Sequence, residues 1–85
     1  MNRIVLRLMV DDGGEISFLF GPWGAVDRAE AIRQIETGER TYSLQLSDGS
    51  LAPLLVDDAL HGKRLCAFAH GAEVSPLERA TRIGA

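Results

Sequence analysis

The sequence predicts a small α+β domain, an antiparallel sheet of four or five strands with one helix packed on it, in the order β-β-α-β-β-β. Three observations predict it. The first ten residues and the stretch from Thr41 to Ser47 alternate apolar and polar side chains, the period of a half-buried strand. Between them, Asp27 to Gly38 carries a helix start, a 3.6-residue apolar stripe and a helix stop. Asp11-Asp12-Gly13-Gly14 and Asp48-Gly49 supply the residues that tight strand-joining turns require.

Taken in order, Ile4, Leu6, Leu8 and Val10 share one face of the first strand, opposite Arg3, Val5, Arg7 and Met9. The second strand, Glu15 to Phe20, continues the inward set through Ile16, Phe18 and Phe20. Asp27 caps the amide of the third helical residue, and Glu30 reaches back to the cap. Ala25, Ala29, Ile32 and Ile35 form the apolar side of the helix, with Glu30, Arg33 and Gln34 outside, and Gly38 ends it.

Tyr42, Leu44 and Leu46 face inward on the third strand. A two-residue Asp48-Gly49 turn then sets Leu46 against Leu51, Leu44 against Pro53 and Tyr42 against Leu55. Pro53 lacks a ladder donor and favours an edge or a bulge, with Leu54 and Val56 on the opposite face as surface for a homodimer. Asp57 to Gly62 reads as a loop or one helical turn, and Lys63 to Ala69 as a fifth strand. Residues 72–85 read as a short helix begun by Ser75-Pro76 or as a frayed tail.

If the helix runs the length of the sheet, Asp11-Asp12 and Asp57-Asp58 meet at one end while Trp23 and the Asp48-Gly49 turn share the other. The acidic end then holds four aspartates and Glu15, a stronger local field than the net charge of −3 implies.

Composition narrows the function. Eighty-five residues form one domain with little core to spare for a deep catalytic cavity. Nine basic against twelve acidic residues, without a basic cluster, argue against direct nucleic-acid binding. The lone Cys66 leaves no internal disulfide and suits a reducing, cytoplasmic setting. The N-terminal run IVLRLMV is too short and too charged for a signal peptide or a membrane span.

The order of DDGGEI, AIRQIETGERTYSLQL with SDGS, and GKRLCAFAHG, spanning Val10 to Gly71, resembles the small bacterial DUF3892 domain family. The resemblance implies a fold of Gly-rich hairpin, helix ending in Gly and following strands, more than an activity.

Reactive groups are few. Cys66 and His70 share a strand face but lie about 13 Å apart, too far for a nucleophile and its base. Asp57, Asp58, His61 and His70 have the residue types of a metal site but lack a placeable full ligand set, and the plainer reading is a solvated loop. No catalytic residue, metal or cofactor is therefore assigned.

Trp23 and Pro22, in the GPWG stretch, are the main candidates for partner contact, because a tryptophan on a constrained loop is a common interface anchor; the competing role is to close the end of a core poor in aromatics. Asp11, Asp12, Glu15, Asp57 and Asp58 are the second group. The expected function is a non-enzymatic protein-binding module. The alternative is a phage-type, anti-CRISPR-like inhibitor whose acidic end occupies a nucleoprotein complex.

Overall fold

A computed structural model describes residues 2–59, 62–69, 71–74 and 80–82. The described residues form β1 (Asn2–Val5), β2 (Arg7–Val10), β3 (Ile16–Gly21), β4 (Gly24–Asp27), α1 (Arg28–Glu36), β5 (Thr41–Gln45), β6 (Leu51–Ala59), β7 (Gly62–Ala69), β8 (Ala72–Val74) and β9 (Ala80–Arg82). The α+β class holds, but there are two sheets rather than one. Five strands pair in the order β1-β5-β6-β7-β8, and four in the order β4-β3-β2-β9.

The predicted first strand divides at Leu6 and serves both sheets. Its first half pairs parallel with β5, with Val5 opposite Leu44, and its second half pairs antiparallel with β3, with Leu8 opposite Leu19. The division shifts the alternation: Val5, Leu8 and Val10 are buried, while Leu6 turns outward at 38% exposure. A second shift occurs in β3. Met9 lies opposite Phe18 but Val10 lies opposite Ile16, so Ser17 is an extra residue, a bulge whose hydroxyl donates to the Met9 carbonyl at 3.2 Å. Ile16 and Leu19 therefore enter the core, and Phe18 and Phe20 do not follow Ile16 as the uninterrupted alternation predicts.

GPWG is a β-hairpin turn. Gly21 and Gly24 pair, Pro22 and Trp23 occupy the two turn positions, and β4 returns antiparallel to β3. The expectation of a loop leading directly into the helix missed β4. That added strand carries the chain back to the Asp11 turn, where Arg28 ion-pairs with Asp11 at 3.3 Å. The helix then starts from the opposite end to the one expected, which is why β5 runs parallel to β1. Trp23 accordingly packs on Tyr42 near the beginning of β5, while the Asp48-Gly49 turn follows its end, so the two do not share one end of the molecule.

The helix is capped as its sequence indicates: Asp27 accepts from the Glu30 amide at 2.8 Å, and Gly38 takes the left-handed conformation at φ 75°. Glu30 does not reach back to the cap. Its carboxylate is held by Arg33 and by Gln34, at 2.5 and 3.1 Å. The buried stripe is Ala31, Ile32 and Gln34, rotated from the expected Ala29, Ile32 and Ile35. Gln34 is tolerated inside because its amide oxygen accepts from the Tyr42 hydroxyl while its amide nitrogen donates to Glu30.

The β5–β6 register also differs by one residue. Leu46 and Ser50 close a three-residue loop, the Leu46 amide donating to Ser50 at 2.8 Å, with Gly49 at φ 87°. Leu44 thus faces Ala52 rather than Pro53. A one-residue slip exchanges the two faces of a strand. Ala52 and Leu54 are buried, Leu51 and Leu55 are exposed, and the surface expected at Leu54 and Val56 for a dimer lies inside or half inside the core. Strand β6 is internal, not an edge. Pro53 sits where β6 has only β5 as its registered neighbour, because pairing with β7 begins at Leu54, and this local half-edge accommodates the missing donor.

Asp57 and Asp58 belong to β6, opposite Arg64 and Lys63, and not to a loop or helical turn. Residues 72–74 form a strand, and Ala80–Arg82 pairs parallel with β2. The expected helix start at Ser75-Pro76 lies outside the described residues, as do His61 and His70. The core runs through both sheets and the helix, centred on Val5, Leu8, Leu19, Ala31, Tyr42 and Leu44.

Candidate functional site

Trp23 is held on three sides. Its indole N–H donates to the Ile4 carbonyl at 2.8 Å, its ring meets Tyr42 edge-on at 5.5 Å, and the Arg3 guanidinium lies 4.9 Å from the ring centroid. The Ile4 carbonyl faces the tryptophan turn for a reason of strand geometry. Leu6 donates its amide to Phe20 of β3, and Ile4, two residues earlier, points its backbone groups to that same side, away from β5. The indole therefore satisfies a carbonyl on the edge of β1. Of the two roles foreseen for Trp23, its packing is that of closing the core end, with the ring half-buried against the core and Pro22 exposed beside it.

A more open surface lies on the outer face of the small sheet. Phe18 and Phe20 stack at 6.2 Å between centroids, and Phe18 is 38% exposed. Leu6, Arg7, Phe20 and Gly21 line a groove of about 250 Å³ that ends at the tryptophan turn. The Ser17 bulge presents these aromatics. Phe18-Leu19-Phe20 is apolar at both parities of a strand, so one face must expose large apolar groups whichever register forms. That was the available signal for Leu6, Arg7, Phe18 and Phe20, none of which was singled out as a contact residue.

The acidic candidates are brought partly together. Arg64 lies 3.1 Å from Asp57, 3.0 Å from Glu73 and 3.7 Å from Glu15, so two of the expected carboxylates and one unforeseen meet around one guanidinium. Hydrogen bonds to Glu73 and then to Asp57 raise the Arg64 pKa above its ordinary value, with the charge of Glu15 adding to them. Asp11 is separate: the Glu15 and Gly13 amides and Arg28 hold its carboxyl below its usual value, the Glu15 bond being the largest cause. Asp12 is exposed in the same turn, and Asp58 stands opposite Lys63.

Cys66 is buried on β7, its thiol 3.7 Å from the Leu55 carbonyl. Burial pushes the thiol pKa up, with the nearby carboxylates of Glu73, Asp57 and Glu15 adding to the shift and Arg64 opposing it. That is the reverse of what activates a cysteine nucleophile. Among the described residues, no group of three or more His, Cys, Asp or Glu side chains is arranged to hold a metal ion, and no helix is long and apolar enough to cross a membrane.

Family models, curated proteins and solved structures contain no match to this chain.

Proposed function

We propose that the protein is a small, non-enzymatic binding module that engages a protein partner through the outer face of the small sheet, at Leu6, Arg7, Phe18 and Phe20, with Pro22 at its margin. One observation carries this: a stacked aromatic pair, Phe18 exposed and Phe20 half-buried, borders a groove lined by Leu6, Arg7 and Phe20. Aromatic residues and arginine are the types most enriched at protein interfaces, and large apolar groups grouped on a surface mark contact sites more often than scattered ones do. Trp23 supports the groove from behind, holding the hairpin against β1, and contributes to binding through position more than through direct contact. The likeness to the DUF3892 family belongs to the same proposal, as does a cytoplasmic location.

The second reading, an acidic end that inhibits a nucleoprotein complex, draws on the convergence of Glu15, Asp57 and Glu73. Three carboxylates around one guanidinium leave this end negative. It is the weaker of the two because part of the field is neutralised in place by Arg64 and, at Asp11, by Arg28.

Affinity capture at low and high salt separates the two. For the aromatic face, a partner bound by the wild type persists at high salt, is lost with Phe18→Ser, and is unaffected by Asp57→Asn with Asp58→Asn. Loss at high salt and with the aspartate pair, but not with Phe18→Ser, favours the acidic end.

A further inference from the structure

The outer face of the small sheet carries its charges at two opposite corners. Strand register sets the side chains in two rows across β4, β3 and β2: Ala25, Phe20 and Arg7 in one, Asp27, Phe18 and Met9 in the other. Strand spacing and rise put Arg7 and Asp27 about 12 Å apart on a diagonal, with the stacked phenylalanines between them. Both are exposed, and among the described residues neither has an ion-pair partner. Asp27 caps the Glu30 amide at 2.8 Å through one carboxylate oxygen. By contrast, Arg28, Arg33, Lys63 and Arg64 are each matched to a carboxylate.

An apolar patch with one unmatched charge of each sign at opposite corners is complementary to a copy of itself. In a two-fold interface, a residue that contacts a second residue is contacted by that second residue in return. An axis lying in the face, at right angles to the Arg7–Asp27 diagonal, sets each Arg7 against the other copy's Asp27 and so forms the pair twice. The same rotation carries Phe20 over Ala25, which is small enough to receive a ring, and Phe18 over Met9, whose thioether packs well on aromatics. A nucleic-acid strand fits this face poorly, because its row of phosphates needs a row of cations and would meet Asp27 instead.

We infer that the occupant of this face is a second copy of the chain, in a two-fold dimer closed by reciprocal Arg7–Asp27 pairs around Phe18 and Phe20. The inference rests on the aromatic face being a contact surface, as proposed above, and names its partner.

The test is sedimentation equilibrium of the whole protein from about ten micromolar to about one millimolar, since a face this small supports a weak dimer. The wild type associates to a dimer and no further, and Phe18→Ser weakens the dimer by more than about tenfold. Asp27→Asn keeps a good helix cap, removes the charge, and weakens the dimer about threefold to tenfold through two exposed pairs. In Arg7→Glu each glutamate faces a like charge, and there Asp27→Asn strengthens the dimer by a similar factor. The same substitution changes sign only if the two residues meet across the interface. Asp58→Asn, on the large sheet, has no effect in either background. A monomer at every concentration, a dimer indifferent to Phe18→Ser, an Asp27→Asn effect of one sign in both backgrounds, or an equal effect of Asp58→Asn each overturns the inference. A monomeric chain that still captures a different protein through Phe18 overturns the second copy alone and leaves the aromatic face as a contact surface.

Discussion

The indole N–H of Trp23 donates to the Ile4 carbonyl over 2.8 Å, and with this bond the tryptophan of the GPWG turn tethers the small sheet to the edge of the large one. The approach is close enough to require Gly21: a Cβ added there would lie 2.6 Å from the Ile4 oxygen and overlap the indole. Gly21→Ala is expected to destabilise the fold by about 1–3 kcal/mol through this overlap. Trp23→Phe keeps an aromatic ring near Tyr42 but leaves the Ile4 carbonyl without its donor, at a cost of roughly 1–3 kcal/mol. Urea unfolding of both variants measures the effect, and a change below about 0.5 kcal/mol in both would mean that the tether contributes nothing.

Tyr42 and Gln34 form the polar contact at the centre of the helix–sheet interface, Tyr42 donating its hydroxyl to the Gln34 amide oxygen. Tyr42→Phe removes the donor and leaves a buried acceptor unpaired, an expected loss of about 1–3 kcal/mol. Gln34→Met alone leaves the hydroxyl proton without its acceptor, the Arg3 guanidinium at 3.4 Å remaining as a donor to the oxygen. The double variant replaces both partners by apolar groups and is expected to lose less than the sum of the singles, a coupling of about 1 kcal/mol in a double-mutant cycle.

The pH dependence follows from Asp11 and Glu30. Hydrogen bonds from the Glu15 amide and from Arg28 lower the Asp11 pKa below its ordinary 3.8, and the Arg33 side chain lowers that of Glu30 below its ordinary 4.5. A carboxyl whose folded pKa is depressed contributes stability that is present above the unfolded value and lost as pH falls through the folded one. Stability should therefore fall as pH drops below about 4.5. Both side chains are solvent-exposed, so the contribution is small and diminishes with salt. Denaturant midpoints measured down through this acid range should decline less steeply for Asp11→Asn with Glu30→Gln than for the wild type. Equal slopes would assign the acid sensitivity elsewhere.

The elements that were legible in the sequence are those fixed by local chemistry. Asp27 capping the Glu30 amide, Gly38 ending the helix and the Asp11–Gly14 turn each depend on a few adjacent residues. What was not legible depends on a single inserted or omitted residue. Ser17 bulges and moves Leu19 in place of Phe18; the Leu6 division changes sheets; and a three-residue loop at Gly49 reverses the faces of β6. Nothing local announces such events, because the rival registers bury similar numbers of apolar groups. The charged candidates fared similarly: Glu15 and Asp57 do converge, but the role of Arg64 as their common partner required the fold.

Phe18 supplies the clearest separation of binding from stability. Phe18 is 38% exposed and lies outside the core cluster, so Phe18→Ser should cost about 1–2 kcal/mol, less than the loss of a fully buried aromatic. Partner capture should nonetheless be abolished, as expected for an aromatic at the centre of an interface. Thermal unfolding beside the capture assay distinguishes this from simple loss of fold. A large drop in melting temperature would mean that Phe18 belongs to the core and that the aromatic face is not an independent surface.

The register of β6 yields the sharpest contrast, because adjacent leucines make opposite predictions. Leu54 is 3% exposed and faces the core with Leu65 and Ala67, whereas Leu55 is 46% exposed. Leu54→Ala should cost about 2–5 kcal/mol, the range for an aliphatic side chain removed from a packed interior. Leu55→Ala should cost less than about 1 kcal/mol. The two-residue turn that Asp48-Gly49 favours in isolation would reverse the order, since it places Leu55 opposite Tyr42 and Leu54 outside. Denaturant unfolding of the two variants therefore reads the strand register directly. A costlier Leu55→Ala would establish the shorter turn and return the Leu54 face to solvent, where it would again be available for a second copy of the chain.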